Sequence, residues 1–576
     1  MIKMMSLDLE HAAPAPMRLL CFLSLAVGAI NLPVNYINIV VVTDVHSWVG
    51  GHERHEPQWN ADYGHVLSFY ERLQTEWKED QNLFFVMNGD FMDGTGLSTY
   101  PPSHLAPILQ KMPWDALNIG NHELYRNSTI EYITESGFAD YWGDKYVTSN
   151  VLRADNGKPL GPLGGARHTI LEGPSAKVLV FGFLYNMTDN SPLVIVEPVE
   201  QVVEQEWFTT ALKGDYQAIV CLVDMDVKDP LISVIQSKIR SVVGDDMPVQ
   251  FIAGHSHIRA FNQVDERSTS FEAGHYLDTV GFVSFDKEGS NFEHVFIEAN
   301  MDALQSIVGV DDIMTENGRQ LQQMIRTAEE EMGLLDRIGC SPDRFHADKE
   351  LSHPQSLWGL YMDKVINYYF DGSSAFVYVQ ASDGLRYDLF QGQVALDDLK
   401  AVSPYNNTIF RVTNELKGKD LVEVLGGRIN SVEDSVPGRP NLPEYVCSVN
   451  VIDPDKTYEL YTDDFDLVHF VARVGNVTGQ PVNPVSQNMA TTLLWVEFVS
   501  EKWQKEGDCQ DPTSSAHTVL LFLVGLAFSA LLVVVVIVMS RRRALVGYDV
   551  AVETTENVDG STNQMPNDDD YVQELI

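Results

Sequence analysis

The sequence predicts an α/β fold: a sheet domain flanked by helices, a second, smaller α/β domain, and one C-terminal transmembrane helix. Two observations predict it. Short apolar, β-branched runs alternate with helical patterns through roughly the first 270 residues after the N-terminal apolar run, as in sheets whose strands are separated by helices. Near the other end, Val519 to Met539 carries no charge and is long enough to cross a bilayer.

The strands come first. Ile37–Thr43 is a continuous apolar run, the pattern of a strand buried on both faces. Leu83–Asn88, Ala116–Ile119, Val178–Leu184, Gln217–Val223 and Val249–Ala253 repeat it. Between the first two, Val66, Phe69, Tyr70, Leu73 and Trp77 recur at helical spacing and mark one face of a helix. From about Gly318 the pattern changes. Leu321, Met324, Ile325, Ala328 and Met332 mark an amphipathic helix rich in glutamate, expected to bridge two domains. A second domain of mixed strands and helices follows from Leu351 to Trp503.

The two ends predict topology. Arg18 precedes a short apolar run, Leu19 to Ile30, which reads as a secretory signal peptide. Arg541, Arg542 and Arg543 follow the C-terminal apolar run, so that side is expected to be cytoplasmic. The tail from Ala544 has no lysine or arginine and few large apolar residues, too little to fold. The expectation is a single-pass type I membrane protein, its ectodomain extracellular or in the lumen of the secretory and vacuolar system. Asn127, Asn186, Asn406 and Asn476 lie in glycosylation acceptor triplets, which fits that route. Cys221 sits in an apolar run and reads as a buried thiol. One disulfide is expected among Cys340, Cys447 and Cys509, with the pairing left open. The net charge of -42 repels a polyanion and excludes a nucleic-acid partner.

Polar residues cluster where the apolar strands stop. Asp44-Val45-His46 follows the first strand, and Gly89-Asp90-Phe91-Met92-Asp93-Gly94 the second. Gly120-Asn121-His122-Glu123 and Gly254-His255-Ser256-His257 follow two others. Ligand sites in α/β sheets lie at the carboxyl ends of strands, so the four clusters are expected to share one crevice. Carboxylate, imidazole and amide oxygen together suit divalent zinc, manganese or iron. No thiolate is near, which argues against a structural zinc site. A carboxylate between two such ions, held about 3.5–4 Å apart, fits two-metal hydrolysis.

Taken in order, these motifs resemble the calcineurin-like metallophosphoesterases, in the 5′-nucleotidase-like branch with a C-terminal domain. Ala61-Asp62-Tyr63-Gly64, Asp93 to Ser98 and Ala273 to Gly281 resemble a secreted or endomembrane subgroup of fungi and protists. The resemblance implies a β-sandwich flanked by helices and two divalent metal ions. It implies that Asp44, His46 and His257 hold the first metal, that Asp90 bridges, and that Asn121 and His255 hold the second. His122 would stabilise the transition state or protonate the leaving oxygen. The family has a histidine where this chain has Asp224, and aspartate can ligate the same cations. His52 and His55, in the loop after the first motif, read as loop residues.

In the second domain, Asp383-Gly384-Leu385-Arg386 resembles the family's phosphate or sugar loop and keeps Arg386, but Ala381 stands where the family has asparagine. Pro404-Tyr405-Asn406-Asn407 resembles its base-stacking turn, with Tyr405 as the aromatic. The second glycine-rich aromatic turn is not matched by Tyr461-Thr462-Asp463-Asp464-Phe465. The chain is thus expected to comprise a signal peptide (1–33), a metallophosphoesterase domain (34–300) and a helical linker (301–350). A C-terminal domain (351–503), a stalk (504–518), a transmembrane helix (519–540) and a cytoplasmic tail (541–576) follow. The expected function is metal-dependent hydrolysis of phosphate monoesters, nucleoside 5′-monophosphates among them, by an activated hydroxide. The partner is then a small phosphate ester. The alternatives are a phosphodiesterase or pyrophosphatase on nucleotide derivatives, and a catalytically degenerate receptor-like ectodomain.

Overall fold

Side chains alternate across a strand, so an apolar run with no break needs a partner on each face. The strand Ile37–Val42 has both, as the computed structural model shows. Ile37, Ile39 and Val41 pack with Phe84, Val86, Val178, Val180, Val220, Leu222 and Ile252 in a layer between two sheets. Val40 and Val42 face the other way, toward Val66, Phe69, Tyr70 and Leu73. Those four lie on the helix Tyr63–Glu76, capped by Asp62, whose carboxylate accepts the backbone N–H of His65 at 3.0 Å. The structure describes residues 30–78, 81–370, 375–427, 429–432, 440–503 and 509. Apart from residues 30–33 and Cys509, the expected signal peptide, stalk, span and tail lie outside the described residues.

The first sheet has the order Phe292–Glu298, Thr279–Phe285, Ile37–Val42, Asn82–Asn88, Ala116–Asn118. The second has the order Arg259–Asp265, Ser268–Ala273, Val249–Ala253, Ala218–Asp224, Lys177–Leu184, His168–Glu172. The strands before the polar clusters run parallel to one another within each sheet, and Ile37–Val42 also pairs antiparallel with Thr279–Phe285. Helices Glu206–Ala211 and Pro230–Val243 cover the outer face of the second sheet, with Phe208, Ile235 and Ile239 against Phe181, Phe183, Cys221 and Phe251. The result is a two-sheet sandwich flanked by helices. The strand expected at Gln217–Val223 runs from Ala218 to Asp224, so Asp224 is a strand-end residue.

The amphipathic helix expected to bridge the domains spans Glu316–Glu331 and lies on the first core through Leu321 and Ile325. It crosses the helix Tyr63–Glu76 closely: a Cβ on Gly64 would stand 2.4 Å from the carbonyl oxygen of Gly318. Beyond it, a five-stranded mixed sheet has the order Tyr445–Cys447, Phe376–Ala381, Thr457–Asp463, Thr408–Lys417, Val485–Ala490. Trp358, Tyr361 and Trp495 fill its core. Described residues up to Cys509 belong to one compact unit, and Leu334 and Ala401 join the first core from the C-terminal side. Cys340 is bonded to Cys509, while Cys447 and Cys221 are buried free thiols. The four glycosylation-triplet asparagines are exposed. Among the described residues, no helix is long and apolar enough to cross a membrane.

The helix crossing leaves no room for a side chain at Gly64. Gly64→Val is expected to destabilise the chain by about 1–3 kcal/mol through overpacking. Urea unfolding would show a lower midpoint at unchanged slope; an unchanged midpoint would mean that the crossing yields freely.

Candidate metal centre

Each candidate ligand sits where a buried strand ends. Asp44 and His46 follow Ile37–Val42, Asp90 follows Asn82–Asn88, and Asn121 follows Ala116–Asn118. Asp224 ends its own strand, and His255 and His257 follow Val249–Ala253. Both sheets therefore contribute to one crevice. To aim inward, five of these side chains need left-handed backbone, with φ of 50° at Asp44, 45° at His46, 49° at Asp90, 72° at His255 and 61° at His257. Such conformations are costly outside glycine and persist where the surroundings over-determine them. Gly120 is required for closeness: a Cβ there would meet the Asp90 carboxylate at 2.1 Å.

The side chains form overlapping groups with metal-ligand geometry: Asp44, His46 and His257; His46, Asp90 and His122; Asp90, Asp224 and His255. The Nε2 atoms of His46 and His257 are 3.1 Å apart. His46 Nε2 lies 3.8 Å from Asp90 Oδ2, and His257 Nε2 lies 3.7 Å from Asp44 Oδ1. On the other side, His255 Nδ1 is 2.9 Å from Asn121 Oδ1 and 4.0 Å from Asp224 Oδ2. His46 Nδ1 is 2.6 Å from the Met92 carbonyl. A carbonyl only accepts, so Nδ1 carries the proton and Nε2 turns its lone pair into the crevice. Asp90 Oδ2 and Asp224 Oδ1 are buried with no hydrogen-bond partner among the described residues. Unpaired buried carboxylate oxygens are costly, and a divalent cation is the group that would satisfy them. The donor set fits metal.

Electrostatics agrees. Burial pushes the Asp90 carboxyl up to about 7. Burial, then repulsion from Asp90, raises Asp44 and Asp224 well above the usual carboxylate range. Burial lowers His46 and His257 well below the usual imidazole range, and His255 to about 4. The histidines are neutral and ready to ligate, while the acids resist ionising together until a cation joins them.

Residues that the sequence reading left without a role hold this arrangement. Glu123 is fully buried and accepts the backbone N–H groups of Gly120, Asp90, Phe91 and Met92 at 2.9, 3.1, 2.9 and 3.0 Å. Glu272 accepts the Ser256 hydroxyl at 2.6 Å and the Ile258 N–H at 3.1 Å, bracing the loop of His255 and His257. Its signal was present: it is the only charged residue in the fully buried strand Ser268–Ala273. Asp93 lies 2.9 Å from His122 Nδ1 and also takes the Tyr100 hydroxyl, so it fixes the His122 ring. Burial raises Asp93 to about 6 and lowers His122 well below its usual range.

The C-terminal residues reach the same crevice. Arg386 Nη2 stands 3.4 Å from His46 Nε2, and its Nε donates to the Tyr276 hydroxyl at 3.1 Å. The Tyr405 ring lies parallel to His122 at 6.0 Å, and Arg126 holds the Tyr405 carbonyl at 2.6 Å. Ala381 presents no side-chain donor; its N–H is taken by Asp466 at 2.7 Å. Phe465 is exposed and meets Tyr125 edge-on at 5.6 Å, with Tyr125 accepting from Asn121 at 2.9 Å. His52 and His55 turn away from the crevice, toward the C-terminal part.

A cation must displace the proton that Asp90 retains below about 7. Its stabilising effect should therefore grow as pH rises through that value, the histidines being neutral on both sides of it. The thermal midpoint of metal-loaded chain, relative to chelator-treated chain, is expected to rise more at about pH 8 than at about pH 6. Equal increments at both would remove Asp90 from the ligand set.

Residues 37–259 match the calcineurin-like phosphoesterase family, whose members use divalent metals. An uncharacterised protein of Schizosaccharomyces pombe is 26% identical over 501 residues, covering 77% of this chain and 82% of its own. A secreted protein of Arthroderma benhamiae is 31% identical over 278 residues, covering 45% of this chain and 41% of its own. Among solved structures, a 5′-nucleotidase from Candida albicans aligns over 82% of this chain and 99% of its own, at 25% identity and a TM-score of 0.73. The fold, the strand-end cage and these similarities converge: the chain is a phosphoesterase hydrolase built on a calcineurin-like phosphoesterase domain.

Proposed function

We propose that the chain hydrolyses phosphate monoesters at a binuclear metal site, with Asp44, His46 and His257 on one ion, Asn121, Asp224 and His255 on the other, and Asp90 between them. The observation that carries this is the pair of unpartnered buried oxygens, Asp90 Oδ2 and Asp224 Oδ1, in a crevice lined by neutral imidazoles. Asp224 takes the family histidine's position with a free oxygen turned to the same space, which favours a working site over a degenerate one. Bound zinc, manganese or iron would supply hydroxide at neutral pH and positive charge for the phosphoryl oxygens.

The chain's own groups do the rest. His122, oriented by Asp93, holds a proton-transferring nitrogen at the leaving oxygen. Arg386 offers a guanidinium to the phosphoryl oxygens, the planar fork best suited to them. Tyr405, with Tyr125 and Phe465 nearby, offers aromatic surface to a planar leaving group. Nucleoside 5′-monophosphates have that shape and are the substrate class we favour. The Candida albicans neighbour carries that activity by name. Against this stands Ala381, which leaves one family contact to the sugar or base unmade.

We place residues 34–300 as the catalytic domain and 351–503 as the substrate-covering domain. The uncharged run Val519 to Met539 and the arginines behind it support a single C-terminal span with the catalytic part outside the cytoplasm. The secreted relative supports the same side.

Asp90→Asn is expected to lower turnover of an aryl phosphate by more than about 100-fold, beyond the loss typical of a supporting residue, while far-ultraviolet circular dichroism stays unchanged. Near-normal turnover would end the bridging assignment. A phosphate-release screen with added zinc, manganese or iron should favour nucleoside 5′-monophosphates over sugar phosphates. The reverse order would retain the hydrolase and discard the nucleotide.

A further inference from the structure

His52 belongs to the loop that carries Asp44 and His46, yet it faces the C-terminal part. It is 4% exposed. Its Nε2 donates to the Tyr276 carbonyl at 2.5 Å, and its Nδ1 lies 2.8 Å from the Tyr387 hydroxyl. The Trp48 indole stacks on its ring at 4.3 Å, nearly parallel, and touches the Tyr387 ring at 4.3 Å as well. Both nitrogens are engaged and the ring is covered, so His52 is closed to substrate.

Its two partners are the two groups that place Arg386. Tyr276 has left-handed backbone, with φ of 52°. It is held at three points: its N–H donates to the Asp44 carbonyl at 2.8 Å, its carbonyl accepts from His52, and its hydroxyl accepts from Arg386. Its ring stands edge-on to His46 and His257, at 5.4 and 5.3 Å. Tyr387 is the next residue after Arg386, and its hydroxyl also bonds Glu56, which Arg344 faces at 3.6 Å. Nearby, Arg54 and His55 both reach Asp398 at 2.9 Å. One ring thus pins the receiver of the guanidinium and the chain that delivers it.

We infer that His52 is a positioning residue: it clasps the metal-ligand loop to the C-terminal part and thereby seats Arg386 against the cage. This rests on the reading of Arg386 as a phosphoryl contact. Polar atoms on opposite sides of one ring are what the role requires. Phenylalanine keeps the stack on Trp48 and loses both bonds.

The test is a mutant cycle in the full chain, read as kcat/KM for p-nitrophenyl phosphate and as metal bound per chain. His52→Phe is expected to lower kcat/KM by about 10–100-fold, the scale of a misplaced substrate contact, with metal content unchanged. On an Arg386→Ala background the same change is expected to cost less than about 2-fold, because the two act through one contact. Tyr387→Phe, which removes a single hydroxyl and keeps the ring, guards against misfolding of His52→Phe and should repeat the pattern more weakly. Equal losses with and without Arg386, or loss of metal, would overturn the inference and leave His52 a packing or ligand-loop residue. If Arg386→Ala costs activity and His52→Phe and Tyr387→Phe do not, the clasp alone falls. If Arg386→Ala costs nothing while Asp90→Asn silences the enzyme, the substrate reading of Arg386 fails first and takes the clasp with it.

Discussion

Asp44, Asp90, Asp224 and Glu123 are buried close together, where burial and their mutual repulsion raise their carboxyls. Like charges at low dielectric repel strongly, so every other feature of the crevice reads as a means of holding them in place. Strained backbone aims three of the acids' neighbours and two of the acids themselves inward. The sandwich supplies the stiffness, because its strands are locked by packing on both faces. Glu123 spends its carboxylate on four backbone N–H groups, which fixes the turn carrying Asp90 at the cost of one more buried acid. Arg386 is a cation that reaches His46, and it arrives from the C-terminal part rather than from the sandwich.

That division of labour has a functional meaning. The sandwich gathers buried carboxylates and neutral imidazoles that could hold a divalent metal. The C-terminal part brings a guanidinium, Arg386, and an aromatic face, Tyr405, to the same crevice. Asp224 adds a further buried carboxylate beside Asp90 and His255.

The convergence of the candidate site was legible because polar strand-end residues interrupt apolar runs, and such interruptions stand out. Asp44, Asp90, Asn121 and His255 each break a run that burial would otherwise keep apolar. The two-sheet arrangement was not legible from the runs themselves. Ile39 and Val40 look alike in sequence, though one faces the other sheet and the other a helix; only the resemblance implied a sandwich. Glu123 and Asp93 lie within the motifs but carry no periodic or compositional mark of their hydrogen bonds. His52 reads in sequence as a loop residue because its partners lie 224 and 335 residues away, and a single chain carries no local trace of such a pairing. Phe465 lacks the glycine-rich turn that would mark it in sequence, yet it stands beside Tyr125 at the crevice.

The Cys340–Cys509 bond closes a loop of 169 residues in sequence around the C-terminal part. Covalent connectivity then offers tension two routes between the sandwich and anything beyond Cys509, and the short one runs through sulfur. A pull on the distal chain would load the ribbon at Arg337–Ser341 and leave Arg386 and Tyr405 off the force path. By that shortcut the part of the chain that carries Arg386 and Tyr405 lies off the shorter covalent route.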